Sequence, residues 1–237
     1  MWFIAEYQPV TLFSFRSGVA TSSGAKTLFL PTPFAIRTAI LDAVIRTKGL
    51  AAGKAAFGWI KGLSIAVRPP ERVVVTNLFA KILKPTRKDE TKEAMDRTIA
   101  FREYAQLEGI LGLAFNNAEE QAFELAMLLA QINYFGKRGC FFQLMKAPST
   151  AEGLPEDFIL LDGNYFVDGH LTGKPPEKFV IGVIQIMDDW GEDLTFDKLD
   201  IYCDANITIG KDRLRKYIIF PYQPIRSSKS YSYYTLM

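Results

Sequence analysis

Apolar and polar positions near the start of the chain predict a strand followed by two helices. Residues 2–15 are rich in Phe, Val, Ile, Tyr and Thr and predict a strand interrupted by one proline. From Pro33 onward, apolar residues recur at helical spacing until Gly49. Thr32 is the expected N-cap of this helix, and Gly49 is expected to end it. An Ala- and Gly-rich segment over residues 50–62 predicts the second helix.

The middle of the chain combines extended runs with one strongly charged segment. Apolar residues on either side of Pro69 and Pro70 give two extended runs and a hairpin-like signal. Residues 84–97 are polar and charged without an apolar stripe, which predicts a protruding loop or the edge of an insertion. Residues 98–115 return to the alternation that is typical of a strand.

A third helix is predicted over residues 118–134. Asn117 and Glu120 have the spacing of a capping pair at its start, and Gly136 is its expected stop. Helical periodicity then disappears from the chain. Three more strands are predicted, over residues 179–187, 201–203 and 217–220.

This order of elements predicts an α+β fold. Strand, helix, strands, helix and strand follow one another as in a ferredoxin-like (RRM-type) domain that carries an inserted β-hairpin. The expected division is a first domain over residues 1–150, with the insertion at about 68–100, and a small, mostly β C-terminal region over 151–237.

Composition indicates a reduced, cytoplasmic protein that is not embedded in a membrane. No run of about 18 uncharged apolar residues is present, and the first ten residues predict a strand and not a signal peptide. The two cysteines, Cys140 and Cys203, are far apart and fit a core better than a metal site. Neither a cofactor nor a metal is expected.

Charge is distributed unevenly along the chain. Residues 1–70 hold eight Lys and Arg against two acids, and residues 205–237 hold six against one. Residues 151–204 hold three against thirteen. This asymmetry predicts one surface for a polyanion, and either a second surface for protein partners or a merely solvated acidic face.

Candidate catalytic groups are sparse. The single histidine, His170, falls in a predicted turn with no nucleophile nearby, and no phosphate-binding glycine motif is present. The carboxylates over residues 187–197 are a candidate divalent-cation site, although a polar loop after a buried strand explains them better.

Cations in unusual settings are the remaining signal. Arg37 lies close to the start of the first helix, where a cation opposes the helix dipole unless an anion is near, and it either binds a phosphate there or pairs with Asp42. Lysine and arginine supply phosphate contacts, and exposed tyrosine can stack on unpaired bases. The predicted RNA-binding residues are Ser14, Arg16, Lys26, Thr32, Arg37, Lys81, Lys84, Arg87, Arg97, Arg102, Tyr104, Lys137 and Arg138.

Three segments carry a resemblance to a known family. The segment LFLPTPFAIRTAILDAVI resembles the one that opens the first helix in Cas-five proteins, which are the foot subunits of CRISPR Cascade complexes in the RAMP superfamily. TIAFREYAQLEGILGLAF and INYFGKRGCFFQL are similar to the second half of that family. The likeness covers about residues 1–144.

The resemblance implies a non-enzymatic subunit of an antiviral ribonucleoprotein. Its implied parts are an RRM-like palm, a hairpin thumb over about residues 72–97, and a β-rich C-terminal region. It would cap the 5′ handle of the guide RNA and pack against the adjacent backbone subunit and the large subunit, and target DNA near the PAM is a further candidate partner. The alternatives are a metal-independent endoribonuclease that processes precursor guide RNA, and a different RAMP backbone subunit.

Overall fold

The computed structural model describes residues 1–16, 24–85, 95–161, 166–167, 170–171, 181–200, 203 and 205–237. These residues form an α+β fold in which strands predominate. The helices are α1 (Pro33–Lys48), α2 (Leu50–Gly62), α3 (Ala122–Gln131) and the single turn α4 (Phe196–Leu199). The strands up to the third helix are β1 (Trp2–Pro9), β2 (Phe15–Arg16), β3 (Gly24–Ala25), β4 (Thr27–Leu28), β5 (Ser64–Arg68), β6 (Arg72–Pro85), β7 (Met95–Glu108) and β8 (Leu111–Asn116).

Short strands dominate the rest of the chain. Those that follow α3 are β9 (Phe142–Leu144), β10 (Ser149–Ala151), β11 (Ile159–Leu160), β12 (Phe166–Val167) and β13 (His170–Leu171). The longer C-terminal strands are β14 (Val183–Trp190), β15 (Arg213–Phe220), β16 (Tyr222–Ser227) and β17 (Tyr231–Leu236).

The first sheet has the strand order β10-β1-β8-β5-β11, with β9 also paired to β1. Alternate residues of β1, including Phe3, Ala5 and Tyr7, are buried, as expected for a strand with one face on a core. The Tyr7 hydroxyl donates to the carbonyl oxygen of Leu129 at the end of α3, 2.9 Å away. This bond ties the helix layer to the sheet.

The second sheet has the order β16-β17-β6-β7-β3. β6 and β7 form a long antiparallel hairpin whose register runs from Arg72 opposite Glu108 to Pro85 opposite Met95. The hairpin predicted around Pro69 and Pro70 would pair β5 with β6, and this prediction is wrong. β5 pairs with β8 and β11, whereas β6 pairs with β7 and β17.

Segments on the two sides of residue 150 share one core. β10 pairs with β1, β11 with β5, and β17 with β6. Met187, Trp190 and Phe220 belong to the same buried cluster as Ile36. The division at residue 150 stays a prediction, and the described parts of the C-terminal region are packed into the rest of the protein.

Local sequence signals predict all three of the longer helices, but they misplace both ends of α3. Thr32 Oγ1 accepts the Ala35 N–H at 3.2 Å, and Gly49 follows α1 with φ at +89°. In contrast, α3 begins after Gln121 and ends at Gln131, so Asn117, Glu120 and Gly136 neither cap nor stop it. Asn117 instead adopts a left-handed conformation, with φ at +63°.

The predicted C-terminal strands are partly confirmed. The strand predicted over 179–187 lies at Val183–Trp190, and the one predicted over 217–220 begins earlier, at Arg213. The one predicted over 201–203 falls largely outside the described residues. Within the described part of the chain, every helix is too short or too polar to cross a membrane.

Candidate nucleic-acid interface

A cleft of about 540 Å³ brings together six of the residues that the sequence predicts to bind RNA. These are Ser14, Arg16, Thr32, Arg102, Tyr104 and Lys137. They come from four segments that are distant in sequence. Four cations line the cleft, against the single carboxylate of Asp188. The cleft is therefore suited to an anionic ligand.

The start of α1 forms one wall of the cleft through Thr32, Phe34, Ala35 and Thr38. Its ability to bind an anion through backbone N–H groups is reduced, because Pro33 has no N–H and the Ala35 N–H already donates to Thr32. Side chains from other segments must therefore supply most of the positive charge.

A glycine-flanked turn presents Lys137 to the cleft. Gly136 and Gly139 have φ values of +67° and +107°, which a side chain at either position would disfavour. Thr11 anchors the turn, since its hydroxyl donates to the Gly139 carbonyl oxygen and accepts the Phe141 N–H. Lys137 makes no ion pair with any described carboxylate. Arg138 is exposed on the same turn but does not line the cleft.

β7 supplies Arg102 and Tyr104, and the segment beside it supplies Ser14 and Arg16. Phe13 and Ala105 exchange two backbone hydrogen bonds of 2.7 Å, which hold this segment against β7. The ring of Phe13 is fully buried and stacks on Phe15 at 5.3 Å. Because these two rings are buried, Ser14, which lies between them, and Arg16, which follows them, face the cleft.

Arg213 and Asp188 complete the lining of the cleft. The sequence patterns did not single out Arg213, and they predicted Asp188 only as one of the carboxylates of the candidate cation site over residues 187–197. The two side chains form an ion pair, and the Arg213 guanidinium lies 4.5 Å from the centre of the Phe34 ring. Arg213 is thereby fixed against the start of α1. Its position in a segment with no matched motif gave no sequence signal for this role.

Arg37 does not belong to the cleft, which corrects its predicted role as a phosphate ligand. Its side chain is 5% exposed, and its Nε donates to Asp189 Oδ1 at 2.8 Å. Its Nη1 donates to the carbonyl oxygen of Ile60, also at 2.8 Å. The anion that compensates this cation near the helix start is therefore a carboxylate of the protein, and it is not Asp42.

Asp189 is held between two cations. Lys216 Nζ lies 2.9 Å from its Oδ2, the oxygen to which Arg37 Nη2 also donates at 3.4 Å. Burial alone would raise the pKa of Asp189, but the charges and hydrogen bonds of Arg37 and Lys216 hold the pKa below its usual range. Asp188 and Asp189, in the acid-rich segment over residues 151–204, therefore form ion pairs within the protein. Neither carboxylate is exposed for a metal or a protein partner.

Lys26 lies in a different cleft from Arg16 and Lys137. Glu103, between Arg102 and Tyr104 in β7, points to the opposite face of the strand. There it lines a second cleft, of about 650 Å³, together with Lys26. Lys26, which is predicted to bind RNA, therefore does not line the cleft at the start of α1.

The remaining candidates lie on or near the β6–β7 hairpin. Lys81 and Arg97 are exposed, and they lie outside the cleft. The side chain of Lys84 and the whole of Arg87 lie outside the described residues, as does the side chain of His170. Within the described ranges, no group of three or more His, Cys, Asp or Glu side chains could hold a metal ion.

Comparison with known proteins gives one match in sequence. No protein-family model matches the chain. A stretch of 95 residues is 30% identical to CRISPR-associated protein Cas5 of Archaeoglobus fulgidus. The match covers 40% of this chain and 42% of that protein, so the chain aligns with less than half of its relative.

Two solved structures are similar to the whole chain at low identity. One, a CRISPR RNA-guided surveillance complex, contains a chain that is 16% identical, with a TM-score of 0.47, full coverage of this chain and 89% coverage of that chain. The other, a CRISPR protein from Archaeoglobus fulgidus, is 13% identical with a TM-score of 0.46, and the match covers 100% and 92% of the two chains. At TM-scores below 0.5 the likeness is coarse. The sequence match confirms that this chain resembles Cas5, as its motifs predict.

Proposed function

We propose that this chain is a Cas-five-type subunit of a CRISPR effector complex, and that its cleft holds the 5′ handle of the guide RNA. The observation that carries the proposal is the convergence of Arg16, Arg102, Tyr104 and Lys137 on one cleft. Cations there would contact phosphates, and Tyr104 would stack on an unpaired base. The 30% identity to a Cas5 protein over 95 residues supports the same assignment.

The fold supports the proposal at the level of topology. When β2–β4, α2 and the β6–β7 hairpin are taken as insertions, β1, α1, β5, β8, α3 and β9 have the βαββαβ order of a ferredoxin-like domain. We therefore assign the first sheet to the palm and the β6–β7 hairpin to the thumb. The adjacent backbone subunit, the large subunit and target DNA near the PAM are the proposed partners, and the subunit is proposed to help assemble them.

The proposed role is binding without cleavage. The cleft offers cations, hydroxyls, a tyrosine and the Asp188–Arg213 pair, and none of its lining residues is a histidine. These groups can supply the charge complementarity and base stacking that binding of the RNA handle needs, and neither requires a catalytic residue. The endoribonuclease alternative would have to rely on Tyr104 and Lys137, because no histidine lines the described cleft.

Binding to a short single-stranded RNA tests this function. We expect the logarithm of the binding constant to fall linearly with the logarithm of salt between about 50 and about 300 mM, with a slope of about −2 for three phosphate contacts. Fluorescence anisotropy measures the slope, and incubation of repeat RNA with EDTA tests cleavage. Salt-independent binding would contradict phosphate contacts, and cleavage in EDTA would establish the nuclease alternative.

A further inference from the structure

The face of the second sheet that bears Tyr104 carries a row of tyrosines that the proposed cleft does not include. Residues directly opposite each other in neighbouring antiparallel strands project from the same face. Tyr104 lies opposite Thr76 of β6, and Thr76 lies opposite Tyr231 of β17. Tyr233 is two residues further along β17 and projects from the same face. The face thus presents three rings, with the small side chain of Thr76 between two of them.

These rings are not part of the core. Tyr231 and Tyr233 are half-buried, and within the described ranges no aromatic ring packs on either of them. Their neighbour Tyr234 behaves differently, because it projects from the other face and lies 4.9 Å from the ring of Phe29. The alternation along β17 therefore separates one core tyrosine from two that face outward.

The surroundings of the outward rings are basic. Arg226 of β16 lies opposite Tyr233, and Lys229 is exposed in the turn that joins the two strands. Residues 222–237 contain no acid. On the neighbouring strands Glu108 shares this face, and its carboxylate accepts a hydrogen bond of 2.8 Å from Arg72. The charge around the tyrosines is thus complementary to a polyanion.

The tyrosine face is continuous with the cleft. Tyr104 lines the cleft and also begins the row that leads across β6 to Tyr231. The strand-to-strand spacing places Tyr104 and Tyr231 about 10 Å apart, and the strand rise places Tyr231 and Tyr233 about 7 Å apart. Aromatic side chains that project from the face of a β-sheet can stack two or three bases, as they do in RRM domains.

We infer that single-stranded RNA leaving the cleft continues across this face, with its bases stacked on Tyr231 and Tyr233 and a phosphate near Arg226. The inference rests on the proposed function, since the cleft must hold RNA for the face to extend its path. It adds three residues that the sequence patterns did not single out. The turn of this hairpin is tied to β6, because Asn77 donates from its backbone and side chain to Ser230 and Lys229 carbonyl oxygens.

Two oligouridylates separate the cleft from the tyrosine face. One of about 4 nucleotides is short enough for the cleft to hold most of it, and one of about 20 nucleotides also spans the sheet. Tyr231→Ala with Tyr233→Ala should weaken binding of the longer oligouridylate by at least about 25-fold, because each of the two lost base stacks weakens binding by at least about fivefold. Binding of the shorter one should change by less than about twofold. Tyr231→Phe with Tyr233→Phe keeps both rings and should bind the longer one as the wild type does.

The outcomes distinguish this inference from the proposed function. If the alanine pair binds both oligouridylates as tightly as the wild type, the tyrosine face is wrong and the cleft stands. If the wild type binds neither, both ideas fall. Should the alanine pair unfold, crosslinking of 4-thiouridine RNA to the wild type replaces it: adducts on Tyr231 or Tyr233 support the face, and adducts restricted to cleft residues overturn it.

Discussion

Asp189→Asn is expected to lower the free energy of unfolding by about 3–5 kcal/mol, the cost of leaving buried charge without its partner. The substitution keeps the size of the side chain but leaves Arg37 and Lys216 buried without a counter-charge. Arg37→Ala should cost a similar amount, because it removes the cation that bridges Asp189 and the Ile60 carbonyl oxygen. Urea unfolding followed by circular dichroism measures both.

A matched control exists on α1, the helix that carries Arg37. Asp42 and Arg46 also form an arginine–aspartate pair, at 2.8 Å, but their side chains are 40% and 46% exposed. Asp42→Asn should therefore change the free energy of unfolding by less than about 1 kcal/mol. If Asp189→Asn were as mild as Asp42→Asn, the buried pair would not hold the C-terminal strands to α1.

Reversal of two charges in the cleft should abolish most RNA binding. A hydrogen bond to a charged group contributes about 1.5–3 kcal/mol, so Arg16→Glu with Lys137→Glu should weaken binding at least about 100-fold. The salt slope should also become shallower, by about 0.7 for each phosphate contact that is lost. Both side chains are exposed, so the fold should be retained. Anisotropy titrations at several salt concentrations measure both effects.

A control variant makes the same change of net charge at two positions outside the cleft. Arg46→Glu with Lys54→Glu replaces one arginine and one lysine on α1 and α2, away from the cleft. Its RNA affinity should stay within about threefold of the wild type, the scale of a long-range charge effect at moderate salt. Equal losses in the two pairs would mean that overall charge, and not the cleft, governs binding.

Sequence reasoning succeeds where a signal is local. Thr32, Pro33 and Gly49 fix the ends of α1 because capping and chain stops act within a few residues. It failed at α3, where Asn117 has the residue type of a cap but takes a left-handed conformation and donates its N–H to the side chain of Asn116. The same residue type serves a turn as readily as a cap.

Long-range partners explain the other errors. A cation near the start of α1 does need an anion, yet Arg37 finds Asp189, 152 residues away, instead of a phosphate. Lys26 is separated from the cleft by β7, a relationship that no spacing reveals. Tyr104 and Lys137 were found by their chemistry alone, whereas Arg213 was missed because only the folded chain brings it to Phe34.

Photo-crosslinking of 4-thiouridine-labelled single-stranded RNA to the full chain, followed by mass spectrometry, tests the central claim that the cleft holds RNA. We expect adducts within residues 14–16, on Tyr104, and on Gly136 or Lys137, all of which line the cleft. Adducts confined to the acidic loop and turn over residues 191–200, which do not line the cleft, or no adducts under conditions that crosslink a known RNA-binding protein, would contradict it.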